Sequence, residues 1–356
     1  MRAAVLALFV GGALLSCSRR EEPAPVATKP IPSASAPRRV VTGSYTAMGT
    51  AVDLKVWTDR PEATARAAMN DAHAEIKRLE KMMTTWDDTS EVARVNAAAG
   101  GDPVVVSDEL LDVLEGARGI HDASEGVFDV TFYGLKGLWR FDQDAVEEIP
   151  TDAAIAARLP LVNGKLVALD RAKKTVQLPK KGMAINLGGI AKGYAVDRAA
   201  AVLAKNGFTD VVVQAGGDLL VRGRKGQDPW RVGIRDPRGP AGDWFAVAAI
   251  TDAAFSTAGD YERYWIKDGK RYHHILDPRT GKPADACRSV TVFAKDALTA
   301  DEYDDAIFIL GPEKGLALIA GKPGVGAVIV DKNNKVWISP SLKDVVTLTH
   351  QPTNSP

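Results

Sequence analysis

Apolar residues recur along this chain with two different periods. Over residues 51–57 they alternate with polar ones, as in a half-buried strand. Over 61–83 the spacing becomes helical, with Ala72, Ile76, Leu79 and Met83 on one face. Ser107 then stands as a cap before a second helix that shares Leu110, Leu111, Leu114 and Ala117. Short strands with turn residues are expected across 160–186, followed by a helix over 190–205 that Asn206-Gly207 stops. Strands follow at 211–214, 219–222, 230–234 and 245–250. Two runs, 261–266 and 271–276, flank Asp268-Gly269, which supplies the two positive φ values of a type I′ hairpin turn. A strand at 289–294, helices at 299–310 and 313–320, and a closing hairpin around 331–335 complete the pattern. No repeat of fixed period is present. Helices and strands mix without strict βαβ alternation, which predicts an α+β fold.

The ends of the chain read differently. Arg2 precedes an apolar run over 3–15, shorter than the roughly 20 residues of a membrane span. A basic start, a short apolar stretch and a small-residue end describe a secretory signal. Leu14-Leu15-Ser16-Cys17 resembles a bacterial lipobox, in which the cysteine is lipidated. Residues 1–16 are therefore expected as a lipoprotein signal peptide. Residues 17–39 follow as the lipidated Cys17 and a Pro-rich, disordered tether. The folded domain is expected at 40–345, with a flexible tail at 346–356. The expected location is the bacterial cell envelope, lipid-anchored at the membrane and facing the periplasm. The 356 residues carry 45 Lys+Arg against 45 Asp+Glu, so no polycationic face for nucleic acid is expected. Cysteine occurs twice, and with Cys17 committed to lipid, Cys287 is read as a buried small apolar residue.

Three stretches carry candidate chemistry. Asn186-Leu-Gly-Gly-Ile-Ala-Lys-Gly-Tyr-Ala-Val-Asp197 sets two glycines between a strand end and a helix start. Such a loop either packs tightly or lets bare backbone and Lys192 meet a phosphate. Thr299-Ala-Asp-Glu302 fits a capping box, but Asp305 lies one turn after Asp301, and like charges at that spacing repel. The acids are thus either a helix cap or an oxygen-only site for a hard divalent cation. His273 and His274 are adjacent in a predicted strand, so their rings face opposite ways, one toward the surface and one toward a cleft.

These stretches, taken with several others, resemble the ApbE-type FAD:protein FMN transferases. The likeness rests on Met48-Gly49-Thr50, Thr84-Thr85-Trp86 with Ser90-Glu91 and Asn96, Ser124-Glu-Gly-Val-Phe-Asp129-Val-Thr131 and the 186–197 loop. It continues through Ala215-Gly-Gly-Asp218, Ser256-Thr257-Ala-Gly259-Asp260-Tyr261, His273-His274-Ile-Leu-Asp277-Pro with Thr280-Gly281, and the acids at 299–311. The resemblance spans about residues 40–345 and implies an ApbE-like mixed sheet-and-helix domain. It implies transfer of FMN from FAD, as substrate, to a Thr or Ser hydroxyl of a target flavoprotein, with AMP released and Mg2+ required. By position, Met48, Trp86, Val127, Phe128, Asp129, Asn186, Lys192 and Ile275 resemble the FAD-binding set. The Gly189 carbonyl with Asp301, Asp304 and Asp305 resembles the metal site, and His274 the imidazole beside the reacting phosphate. Two positions depart from the family pattern, since many members have Asp at the place of Asn186 and most have Thr at that of Asp305. Metal-dependent FAD hydrolysis and simple flavin binding are the other uses such a pocket allows. Family targets carry an Asp-Gly-x-Ser/Thr-Gly-Ala-Thr-like acceptor motif, which this chain lacks, so self-modification is not expected.

Overall fold

A computed structural model describes residues 37–141 and 147–355. The expected signal peptide and all but the last residues of the expected tether fall outside that range. Eight strands form the main sheet, in the spatial order Arg39–Ala47, Thr50–Thr58, Val211–Ala215, Asp218–Arg222, Ala253–Gly259, Cys287–Ala294, Gly326–Asp331 and Val336–Ile338. Each neighbouring pair in it is antiparallel. The helices are α1 (Glu62–Met83), α2 (Glu91–Ala97), α3 (Asp108–Ala123), α4 (Asp152–Arg158), α5 (Ala191–Lys205), α6 (Ala297–Leu310) and α7 (Pro312–Ile319).

Alternate residues of single strands enter two separate cores. Val211, Val213, Ala215 and Leu220 join the helical core with α1, α5 and α6, whereas Val212, Leu219 and Val221 join the other. That second core is closed by a three-stranded sheet in the order Val346–Leu348, Trp244–Ile250, Trp230–Arg235. The α+β expectation therefore holds, as a helical layer, a central sheet and a small sheet. Central strands buried on both faces lose the polar alternation by which strands are ordinarily recognised.

Several expectations change. Ala253–Gly259, a central strand, was not expected, because Ala-Ala-Phe-Ser-Thr-Ala-Gly is small, two-face buried and without alternation. The Asp268-Gly269 turn is present, with φ of 51° and 74°, but its strands are shorter than expected, Tyr264–Lys267 and Lys270–His273. The chain then turns away, and Leu276–Asp277 pairs with Lys282–Pro283. The first strand begins at Arg39, and Arg38 already meets Asp210 at 3.1 Å, so ordered structure begins inside the expected tether. The tail expected to be flexible is docked instead. Val346–Leu348 pairs with Trp244–Ile250, and Thr353 donates from both N–H and Oγ1 to Asp236 Oδ2 at 2.8 Å. Among the described residues no helix is long and apolar enough to cross a membrane.

Candidate active site

The acids on α6 are not its cap. Asp296 occupies the cap position and accepts the Thr299 N–H at 2.8 Å, so the expected Thr299–Glu302 capping box does not form. Asp197, on α5, accepts the Ala297 and Leu298 N–H groups at 2.9 Å each. With its N-terminus already satisfied, α6 has no structural need for Asp301, Asp304 and Asp305. Asp301 and Asp304 are nevertheless buried, at 2% and 3% exposure.

What surrounds them is polar and closely approached backbone. The bare Gly193 lets α5 touch α6, since a Cβ there would lie 2.4 Å from the Ala297 carbonyl oxygen. The Gly193 N–H donates to Asp301 Oδ2 at 2.8 Å. Lys192, in the first turn of α5, places Nζ 2.9 Å from Asp218 Oδ2 and 3.5 Å from Asp301 Oδ1. Ser256 Oγ lies 2.7 Å from both Asp218 Oδ1 and Asp304 Oδ2. One hydroxyl hydrogen serves only one of those contacts, so the other needs a proton on a carboxyl. Gly189 belongs to the same cluster, because a Cβ there would lie 2.8 Å from Asp305 Oδ2 and 3.3 Å from Phe128 Cε2.

Four carboxyls thus share one ammonium. Burial, then the neighbouring Asp218 charge, raises Asp301 to about 8, and burial raises Asp305 to about 6. Asp304 is raised well above the ordinary range by burial and by Asp305, Asp301 and Asp218. Burial works against the charge on Lys192, but Asp218 and Asp301 outweigh it and raise its affinity for a proton. Excess buried negative charge on oxygen donors is the donor chemistry that fits a hard divalent cation. The residues expected at the metal position therefore suit such an ion.

His274 lies near enough to the cluster to feel the charge of Lys192. Its N–H donates to the Arg263 carbonyl at 3.1 Å, and its Nδ1 is sealed from solvent with no partner among the described residues. Burial first, then the charges of His273, Arg263 and Lys192, lower its pKa to about 3, so the ring is neutral. His273 is buried as well, so the surface-facing ring expected of the pair is not found. Its Nε2 lies 2.7 Å from the Ala284 carbonyl, and its Nδ1 accepts the Ile275 N–H at 3.3 Å.

The residues expected to meet flavin fall into two groups. Met48 and Gly49 form the two-residue turn between the first strands, with φ of 52° and 71°, and the Met48 N–H is held by Glu80 Oε1 at 2.8 Å. Trp86 lies just past the end of α1 and, at 81%, is the most exposed large apolar side chain among the described residues. The neighbouring Thr85 Oγ1 accepts from Asn186 Nδ2 at 3.5 Å and from Tyr133 OH at 3.1 Å, which ties this segment to the glycine loop. Val127, Phe128 and Ile275 are buried. Asp129 is already engaged by protein, accepting Thr131 N–H at 2.8 Å, Thr131 Oγ1 at 2.5 Å and Gly164 N–H at 2.8 Å.

Asp218 and Ser256 belong to the family-like motifs, and the structure adds both to the cluster through their side chains. The signal for Asp218 is an acid opening the apolar run Leu-Leu-Val; Ser256 lies in the unrecognised strand. A separate grouping, Asp236, Asp243 and His350, brings one potential ligand atom each within 4.8 Å. Asp236 there is occupied by Thr353 and by the Arg238 N–H, so the group works as the anchor of the chain end. A cavity of about 20 Å³ behind Asp129, lined by Arg118 and His121, has room for one water.

Fold and site together define an antiparallel-sheet protein with a buried acidic cluster built against a glycine loop. The ApbE family model matches residues 48–329, and the chain belongs to that family. It is 34% identical over 316 residues to an FAD:protein FMN transferase of Treponema pallidum, covering 84% of this chain and 86% of the relative. A Klebsiella pneumoniae protein of the same name is 33% identical over 302 residues, covering 85% and 92%. The ApbE protein of Thermotoga maritima superimposes with a TM-score of 0.78 at 32% identity, covering 86% of this chain and 99% of that one. The flavin transferase ApbE of Vibrio cholerae gives 0.77 at 28% identity, covering 87% and 100%.

Proposed function

We propose that this protein transfers FMN from FAD to a serine or threonine hydroxyl of a target flavoprotein, releasing AMP, with Mg2+ as the required ion. The carrying observation is the buried cluster of Asp218, Asp301, Asp304 and Asp305 around Lys192, beside the glycine loop of an ApbE-family chain. The Gly189 carbonyl, Asp301, Asp304 and Asp305 would hold the ion. Bound there, it supplies positive charge to the diphosphate as the phosphoanhydride breaks. Met48, Trp86, Val127, Phe128, Asp129, Asn186 and Ile275 form the flavin side, and Lys192 the phosphate side.

In the reaction the acceptor oxygen forms a bond to the flavin-side phosphorus, and the bond from that phosphorus to the bridging oxygen breaks. AMP departs with the bridging oxygen, and the hydroxyl proton passes to the neutral imidazole of His274. Neutrality at rest leaves the ring free to accept a proton, and the negative charge of a bound diphosphate would raise its basicity from the depressed resting value. The reading includes a cellular position. Cleavage ahead of Cys17 and lipidation of that cysteine hold the domain on the envelope membrane, facing the periplasm. Intact-mass measurement of the membrane fraction checks this, and a Cys17 without added lipid mass rules it out.

The activity is tested by incubating the protein with FAD, Mg2+ and a peptide carrying the acceptor motif. Fluorescent peptide with matching AMP is the expected result. AMP without labelled peptide replaces transfer by hydrolysis, and neither product overturns the reading.

A further inference from the structure

Arg263 is the most conspicuous charge near His274 that the proposed reaction leaves unused. Its side chain is exposed and, among the described residues, makes no hydrogen bond or ion pair. Its neighbour Glu262 is taken by Arg235 at 3.1 Å, and Lys192 is committed to Asp218 and Asp301. Arg263 is also placed by the site on two sides. Its carbonyl holds the His274 N–H, and its Nη2 lies 3.7 Å from the position a Cβ on Gly49 would take. The main chain thus ties Arg263 to His274, whose ring feels the Arg263 charge, while the guanidinium itself lies beside the Met48-Gly49 turn on the flavin side.

Resting on the flavin-transfer reading, we propose that the Arg263 guanidinium grips the diphosphate of FAD and so sets the preference for phosphorylated flavin. A planar guanidinium presents paired N–H donors to phosphate oxygens and is always charged, and recruiting an unpaired one breaks no existing ion pair. A diphosphate whose flavin lies toward Met48 and whose reacting phosphorus lies toward His274 spans the ground that Arg263 covers. The ammonium of Lys192 is already shared with Asp218 and Asp301, so an arginine without a carboxylate partner adds positive charge that the cluster has not neutralised. Exposure at rest and engagement on binding are what a substrate-gripping arginine requires.

The test compares FAD with riboflavin, which lacks phosphate, in fluorescence titrations of the full chain and of Arg263→Ala and Arg263→Lys. The expected result is about a ten- to hundredfold loss of FAD affinity in Arg263→Ala, the range for a lost charge-assisted contact. Riboflavin affinity stays unchanged, and Arg263→Lys recovers part of the loss. Unchanged FAD affinity overturns the proposal, including the case in which only the KM for the acceptor peptide rises. Equal losses for FAD and riboflavin overturn it as well, because they report a structural role. If the unsubstituted protein binds neither flavin, the flavin reading itself fails, an outcome visible before any variant is made.

Discussion

The two faces of the eight-stranded sheet are built by alternate residues of the same strands but are packed by different means. Toward the small sheet the space is filled by volume, with Trp230, Phe245, Phe255 and Phe293 buried and the last two rings 5.4 Å apart. Toward the helices, small residues bring backbone close. Gly193 touches Ala297, and the room so gained is lined by Asp218, Ser256, Asp301 and Asp304. Volume filling stabilises, whereas close backbone approach lets buried acids be hydrogen-bonded instead of excluded. The difference teaches that one sheet can carry a close-packed aromatic core on one side and a buried acidic cluster on the other, so substitutions on the two sides are expected to separate in effect.

Four substitutions sharpen or break that contrast. The largest effect is expected from His274→Ala, which slows transfer about 10²–10⁴-fold while leaving FAD binding intact. Single-turnover rates beside FAD titrations check it, and an unchanged rate returns His274 to structure. The same residue carries a pH signature. Its pKa is about 3 in the fold against 6.5 ordinarily, so the unfolded chain protonates first as pH falls. The contribution is fully present above pH 6.5 and is lost as pH drops toward 3, at up to about 1.4 kcal/mol per pH unit. Urea midpoints of His274→Ala should be flatter over that window.

On the opposite face, Phe245→Ala should cost about 3–5 kcal/mol of stability by leaving a cavity, with FAD affinity of the folded fraction unchanged. Denaturant melts and titrations in the same buffer decide whether the faces are as independent as the packing implies. Asp301→Asn keeps the size of the side chain and should lower Mg2+-supported transfer about a hundredfold, equal to about 2.7 kcal/mol. Full transfer in EDTA by the unsubstituted protein removes the metal assignment. Gly193→Ala comes last, at about 1–3 kcal/mol, because its methyl meets the Ala297 carbonyl. Unlike Phe245→Ala, it should lose activity along with stability.

Much of this was legible in the sequence where the interactions are local. The face of α1, the Ser107 cap of α3, α5 and the Asp-Gly turn follow from spacing and turn chemistry, and all four are present. The strand at 253–259 was not legible, because burial on both faces removes its alternation. The cap of α6 by Asp197 was hidden because it comes from another helix, 100 residues earlier. For the site, the shared face of Asp301 and Asp305 could be read from spacing. The Ser256 contacts with Asp218 and Asp304 could not, being made by residues 38 and 48 positions apart. The chain end misled for a related reason, since a three-residue strand and the contacts of Thr353 with Asp236 fasten it, both made with residues about 100 positions earlier.

The triple fastening of α5 to α6 also constrains how the protein moves. Asp197 grips the first turn of α6, the Gly193 amide holds Asp301, and Lys192 faces the same carboxyl. None of these bonds can open alone without leaving a buried charge or amide unpaired, so the two helices form one cooperative unit that opens together or stays shut.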